Sequence, residues 1–253
     1  MERGFKNYST VISLFAKEIN HFFSSLTGYL VMAVFLVLTS LFLWVLPGTF
    51  NVFDSSYAGV DNLFLIAPWV FLFLVPATTM RMFSDEKRTG TLELLLTKPL
   101  TDFQLVFAKF LAGWVLLILA LLPTLLYVYT VHELGNPVGN FDSGATIGSY
   151  VGLLLLGAAY VAIGLFSSSL TDNPIVSFIL GVILCLFMYV GFDQIAELKW
   201  FGVADLFLYN LGINEHYTSL SRGVIDSRDL IYYFSLMTLF FAATQLVLKS
   251  RKW

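Results

Sequence analysis

Six stretches of this chain are apolar for long enough to cross a bilayer as helices, and that feature excludes most other folds. Their approximate bounds are 28–46, 62–83, 104–131, 147–170, 174–192 and 229–248. A helix needs about 20 apolar residues to span the hydrocarbon layer, where each backbone amide and carbonyl must be paired within its own segment. A β-barrel meets the same requirement, but its strands read as alternating segments of about ten residues. These stretches are continuously apolar instead. Only 12% of the residues are charged and 58% are apolar, against roughly 25% charged in soluble domains. The expected fold is all-α: a polytopic membrane protein of six transmembrane helices, forming one domain over residues 1–253. The first stretch lacks a small-residue cleavage site and is too long for a signal peptide, so an uncleaved span is expected.

Basic residues orient such a chain, because Lys and Arg collect on the cytoplasmic side. With both termini inside, all fourteen Lys and Arg except Lys199, Arg222 and Arg228 fall on that side. The opposite segments are acidic and carry Asp54, Asp61, Glu133, Asp142, Asp193, Glu197, Asp205, Glu215, Asp226 and Asp229. Residues 5–27 precede the first span. There Val11, Ile12, Phe15, Ile19, Phe22 and Phe23 recur at helical spacing, while Lys17, Glu18, Asn20 and His21 take other positions. The pattern predicts an amphipathic helix along the inner membrane surface; the alternative is a plain extension of the first span.

Pro68, Pro76 and Pro123 lie inside predicted spans and should kink them. The fourth span is rich in small residues, with Gly148 and Gly152 in a GxxxG pair and Ala158 and Ala162 repeating the spacing. Such faces allow close helix approach, and packing within the subunit is the expectation. Pro174 suits the first turn of the fifth span. Residues 193–228 are too apolar for an ordinary loop. Trp200, Phe201, Leu206, Phe207, Tyr209 and Leu211 predict short helices dipping into the outer leaflet before the last span.

Several function classes lose support from what the sequence omits. The span centres carry almost no ionisable residues, which disfavours proton- or sodium-coupled transport. Cys185 is the single cysteine, and His21, His132 and His216 are scattered, so neither a disulfide nor a metal set is expected. No HExxH, GxSxG or GxxxxGK[ST] occurs, so no catalytic or phosphate-binding motif is present. No cofactor is expected on this chain, no nucleic-acid partner, and no enzymatic activity. If ATP drives it, the ATPase is a separate polypeptide.

The remaining signal is the charged segment 84–99, SDEKRTGTLELLLTKP, between the second and third spans. Leu92, Leu95 and Leu96 share one helical face, with Glu93 elsewhere. The text Glu86-Lys87-Arg88-Thr89-Gly90-Thr91-Leu92-Glu93, followed by Leu95, Leu96, Thr97 and Pro99, resembles the signature of type-2 ABC exporter permeases. So does the run from His216 through Arg222, Gly223, Val224, Ile225, Asp226 and Arg228 to Asp229. Residues 67–99 and 122–128 are similar, more narrowly, to gliding-motility permease subunits and to permeases that serve nitrous oxide reductase maturation.

That resemblance implies a permease half in the bacterial inner membrane. It implies a pair of cytoplasmic ABC ATPase subunits that bind the ATP, membrane lipids, and a second permease subunit, identical or related. Periplasmic partners are a further expectation. The segment 84–99 would be the coupling helix, with Asp85, Glu86, Lys87, Arg88 and Glu93 as polar contacts to the ATPase. Leu92, Leu95 and Leu96 would be its anchors, and Gly90 and Thr91 would belong to the same coupling segment. Two outcomes stay open: export of a substrate, or ATP-driven motion passed to periplasmic partners without transport.

Overall fold

A computed structural model describes residues 2–55, 57–96, 101–200, 202 and 204–250. Among them every regular element is helical, and six helices are long and apolar enough to cross a membrane. Helix α1 (Glu2–Ser24) ends at Ser25, whose backbone is extended (φ −106°, ψ 155°), before α2 (Leu26–Ser40) begins. The break separates α1 from the first span, as an amphipathic helix of its own requires. Leu14, Glu18 and Phe22 are buried at i, i+4 and i+8, so one face of α1 packs inward, against the third span. Glu18 therefore lies on the apolar face and not off it as the spacing suggested; its partner, described below, is what permits this. A π-helical turn, Leu41–Val45, completes the first span.

The second span is α3 (Asp61–Thr79), which contains Pro68 and Pro76 and runs through Met80 into α4 (Arg81–Arg88). The junction is opened and then held from outside. Phe83 N and Ser84 N both donate to Ser168 Oγ, at 2.9 and 3.2 Å, and Ser168 Oγ donates to Met80 O at 3.2 Å. Gly90, at φ +69°, then reverses the chain into α5 (Thr91–Leu96). Only glycine takes that conformation without cost, and its N–H closes the end of α4 on Lys87 O at 3.1 Å. The segment 84–99 is thus not one amphipathic helix. It is the end of a long helix, a glycine turn and a second short helix, with Lys98 and Pro99 outside the described residues.

Helix α6 (Asp102–Leu121) opens with a reciprocal cap. Gln104 N donates to Thr101 Oγ1 at 3.2 Å, and Thr101 N donates to Gln104 Oε1 at 3.1 Å. At Pro123 the helix tightens to a 3₁₀ turn, Leu122–Thr124, and continues as α7 (Leu125–Leu134). Helix α8 (Ser143–Leu170) is the central post, packed on α3, α6 and the elements that follow. Its small residues are consumed inside the subunit. A Cβ on Gly157 would strike Leu117, one on Gly164 would strike Thr79, and one on Gly148 would lie 2.5 Å from Gly223 Cα.

The fifth span is α9 (Pro174–Leu186), capped by Asn173 Oδ1, which accepts from Ile175 N at 2.9 Å. It passes through a π-helical turn, Phe187–Gly191, into α10 (Phe192–Glu197). Two short helices follow, α11 (Ala204–Tyr209) and α12 (Ile213–Ser221), and α13 (Ser227–Ser250) is the last span. Buried residues make up 78% of the apolar window of α8 but 22% in the fifth and sixth spans. The peripheral spans thus present broad apolar faces for lipid or another chain. Span order puts the α4–α5 turn and the start of α6 at one end, with α11 and α12 at the other.

Candidate coupling site at the α4–α5 end

Lys109 projects from the second turn of α6 and is fully buried. An ammonium has three protons to place, and all three find acceptors: Glu18 Oε1 of α1 at 2.8 Å, Glu86 Oε1 of α4 at 2.8 Å, and Met82 O at 2.7 Å. The Phe83 ring lies 5.1 Å from the same nitrogen, a cation–π contact. Lys17 of α1 stands 3.7 Å from Glu86 Oε1. Two cations thus face two carboxylates, and the cluster ties α1, α4 and α6 together directly behind the Gly90 turn. Such a group contributes specificity of arrangement more than net stability, because desolvation offsets much of its attraction. Removing one member leaves a buried charge unpaired.

The residues expected to contact an ATPase divide into two sets. Glu86 is turned inward to Lys109 and has only its edge exposed. Leu92 and Leu95 are 7% and 8% exposed and belong to the subunit's own core. The apolar face of α5 packs on its own chain. The Leu96 side chain lies outside the described residues. Facing out are Arg88, Gly90, Thr91 and Glu93, with Asp85 and Lys87 half-buried beside them. Leu94, 66% exposed, is the apolar residue on that surface. Arg88 and Asp85 pair at 3.2 Å on the exposed side, a contact of small energetic weight.

At the other end, the two outer ends of the sequence run His216–Asp229 meet. His216 Nδ1 is 2.7 Å from Asp229 Oδ1, its Nε2 is 3.0 Å from Asn210 O, and its ring stacks on Tyr232 at 3.9 Å. Asp226 Oδ1 accepts from Arg228 N at 2.9 Å and so caps α13. Gly223, at φ +80°, fits against the backbone of α8 at Gly144 and Ala145. Of the apolar outer segment, Trp200, Leu206 and Phe207 are strongly exposed, and Tyr209 and Leu211 less so. Phe201 lies outside the described residues. Helix α12 behaves differently: Ile213, Tyr217 and Leu220 are buried against the bundle. The Tyr209 phenol, hydrogen-bonded to Glu215 and surrounded by acidic neighbours, is pushed up to about 12.

Sequence reasoning missed the Lys109 cluster. Its signal was a charge on each of two apolar faces, Glu18 between Leu14 and Phe22 and Lys109 within the third span. Among the described residues no group of three or more His, Cys, Asp or Glu is placed to hold a metal.

Six spanning helices, peripheral faces fit for lipid and an ion cluster backing an exposed turn define a multi-pass membrane subunit. The chain belongs to the ABC-2 family of transporter proteins, whose family model matches residues 47–202. Domains of this family are the transmembrane component of ABC transporters, distinct from the ATP-binding subunit, and membership implies an ABC ATPase partner. None of the curated proteins matches the chain.

Proposed function

We propose that this chain is a permease subunit of a gliding-motility-type ABC transporter, paired with a second, related permease subunit in the bacterial inner membrane. Both termini and the α4–α5 turn face the cytoplasm, where the turn receives motion from the ATPase. The observation that carries the reading is the Lys109 cluster. A push on the exposed face of α4–α5 meets no slack, because Glu86 is bonded through Lys109 to α1 and to the third span. Force applied at Arg88, Thr91, Glu93 and Leu94 thus reaches three elements at once. The inward placement of Leu92 and Leu95 makes α5 a rigid extension of the permease.

The gliding-motility assignment rests on the text of residues 67–99 and 122–128, and the orientation rests on the placement of Lys and Arg. Reconstitution of the subunit with its ATPase and partner permease in vesicles tests the function. ATP-dependent accumulation of a substrate supports export. Hydrolysis without accumulation supports motion passed to periplasmic partners, and no ATPase association at all contradicts the proposal. A reporter fused after the last residue should read out in the cytoplasm.

A further inference from the structure

Between α3, α10 and α12, at the end away from the α4–α5 turn, lies a cavity of about 340 Å³. Trp69, Tyr189 and Tyr217 supply aromatic lining, and Asp193, Glu197 and Asn214 supply polar lining. Trp69 and Tyr189 meet edge to face, with ring centroids 5.7 Å apart and planes at 88°, so the two rings form a corner. No Lys, Arg or His is among the described residues that line it. Its formal charge is that of two carboxylates.

The charge is not settled internally. Asp193 is 7% exposed, and its Oδ2 accepts from Asn214 Nδ2 at 2.9 Å. Its Oδ1 is buried and has no hydrogen-bond partner among the described residues. Buried polar atoms are rarely left so, and an ionised carboxylate oxygen without a donor is the most costly kind. A concave site lined by aromatic rings and two carboxylates, with no lysine, arginine or histidine among its described lining residues, suits a ligand that brings positive charge.

The class of cation follows from the lining. An anion would meet two carboxylates and no compensating charge. A metal ion would need a converging set of hard ligands, and no such group of three exists among the described residues. An organic ammonium needs neither; its diffuse charge is attracted to aromatic faces and to a nearby carboxylate. We propose that the cavity binds an organic ammonium cation, seated in the Trp69–Tyr189 corner and facing Asp193 and Glu197. The cation is either the headgroup of an ethanolamine- or choline-type lipid or a free alkylammonium. The proposal does not depend on the ATPase or on the direction of transport.

The test uses the full chain purified in an uncharged detergent and titrated with tetramethylammonium chloride. Sodium chloride at matched ionic strength is the reference, and thermal unfolding and tryptophan fluorescence are the readouts. In parallel, lipids retained from nanodiscs containing phosphatidylethanolamine and phosphatidylglycerol are counted by native mass spectrometry. A tetramethylammonium effect beyond that of sodium supports a free cation as ligand. Selective retention of phosphatidylethanolamine supports a lipid headgroup. In either arm Asp193→Asn and Trp69→Leu should weaken binding at least tenfold, while Glu133→Gln, an exposed carboxylate outside the cavity, leaves it unchanged. Glu197→Gln, on the exposed rim, should weaken binding about threefold and keeps the test open if the Asp193 variant fails to fold. No effect beyond sodium together with equal retention of both lipids overturns the proposal, as does undiminished binding by the carboxylate variants.

Discussion

The two ends of this bundle treat buried charge in opposite ways. At the α4–α5 end, Glu18 and Glu86 share Lys109, and Lys17 stands beside Glu86, so carboxylates are matched by cations. At the other end, Asp193 is held by the amide of Asn214 and Asp229 by the imidazole of His216, and each keeps one buried oxygen without a partner among the described residues. The first arrangement is closed by charge: it fixes three helices relative to one another and uses all three Lys109 protons, with Glu86 Oε2 buried and without a partner among the described residues. The second is open: among the described residues neither Asp193 nor Asp229 has a lysine or arginine partner. A closed cluster suits transmission of force, and an open one suits reception of something from outside the chain. The contrast also explains why the exposed surface near the turn is formed by Arg88, Thr91, Glu93 and Leu94 and not by the cluster itself.

Substitutions can break this contrast, and the largest effect should come from the closed end. Lys109→Met strands two buried carboxylates, and losing one partner of a buried ion pair costs about 3–5 kcal/mol. The thermal midpoint in detergent should fall sharply, and adding Glu18→Leu and Glu86→Gln should recover most of the loss. If the single variant matches wild type, the cluster does not hold the three helices. At the open end Asp229→Asn should cost less, about 1–3 kcal/mol, because a hydrogen bond to His216 is lost or reversed with no stranded cation. A cost equal to that of Lys109→Met would erase the distinction between the ends.

Smaller effects sharpen the same picture. Gly90→Ala places a Cβ in the left-handed region and should cost about 1 kcal/mol, with a shift in protease sensitivity at the turn. At the far end the Tyr209 phenol gives a pH signature. Its ordinary value is 10 and the fold raises it to about 12 through the bond to Glu215. The unfolded chain therefore releases this proton first as pH rises, and the folded state loses stability progressively between pH 10 and 12. Tyr209→Phe should flatten that part of the stability profile. An unchanged slope would show that the phenol is not held by Glu215.

Much of the fold is legible in the residues themselves. The six spans follow from uninterrupted apolar length, the start of the fifth from Asn173 and Pro174, and the close packing of α8 from its glycines. Span ends were displaced wherever a helix continued past the apolar run, as α4 does from Ser84 to Arg88 and α10 does to Glu197. The candidate site was only half legible. The glycine in the Arg-Thr-Gly-Thr turn marks the reversal, yet the spacing of Leu92 and Leu95 does not say which body that face meets. The Lys109 cluster joins residues 91 and 23 positions apart, and no local pattern encodes such a pairing. What the sequence offered was an oddity, a lysine within an apolar span and a glutamate on an apolar stripe, each of which needs a partner.

The central claim is that the outward face of the α4–α5 turn, backed by the Lys109 cluster, is where the ATPase docks. Its most direct test is co-purification of the ATPase with the Glu93→Arg/Leu94→Asp variant. Both positions are exposed, so the permease should keep its wild-type thermal midpoint while the bound ATPase falls at least tenfold. An ATPase retained at wild-type stoichiometry on that variant would contradict the account.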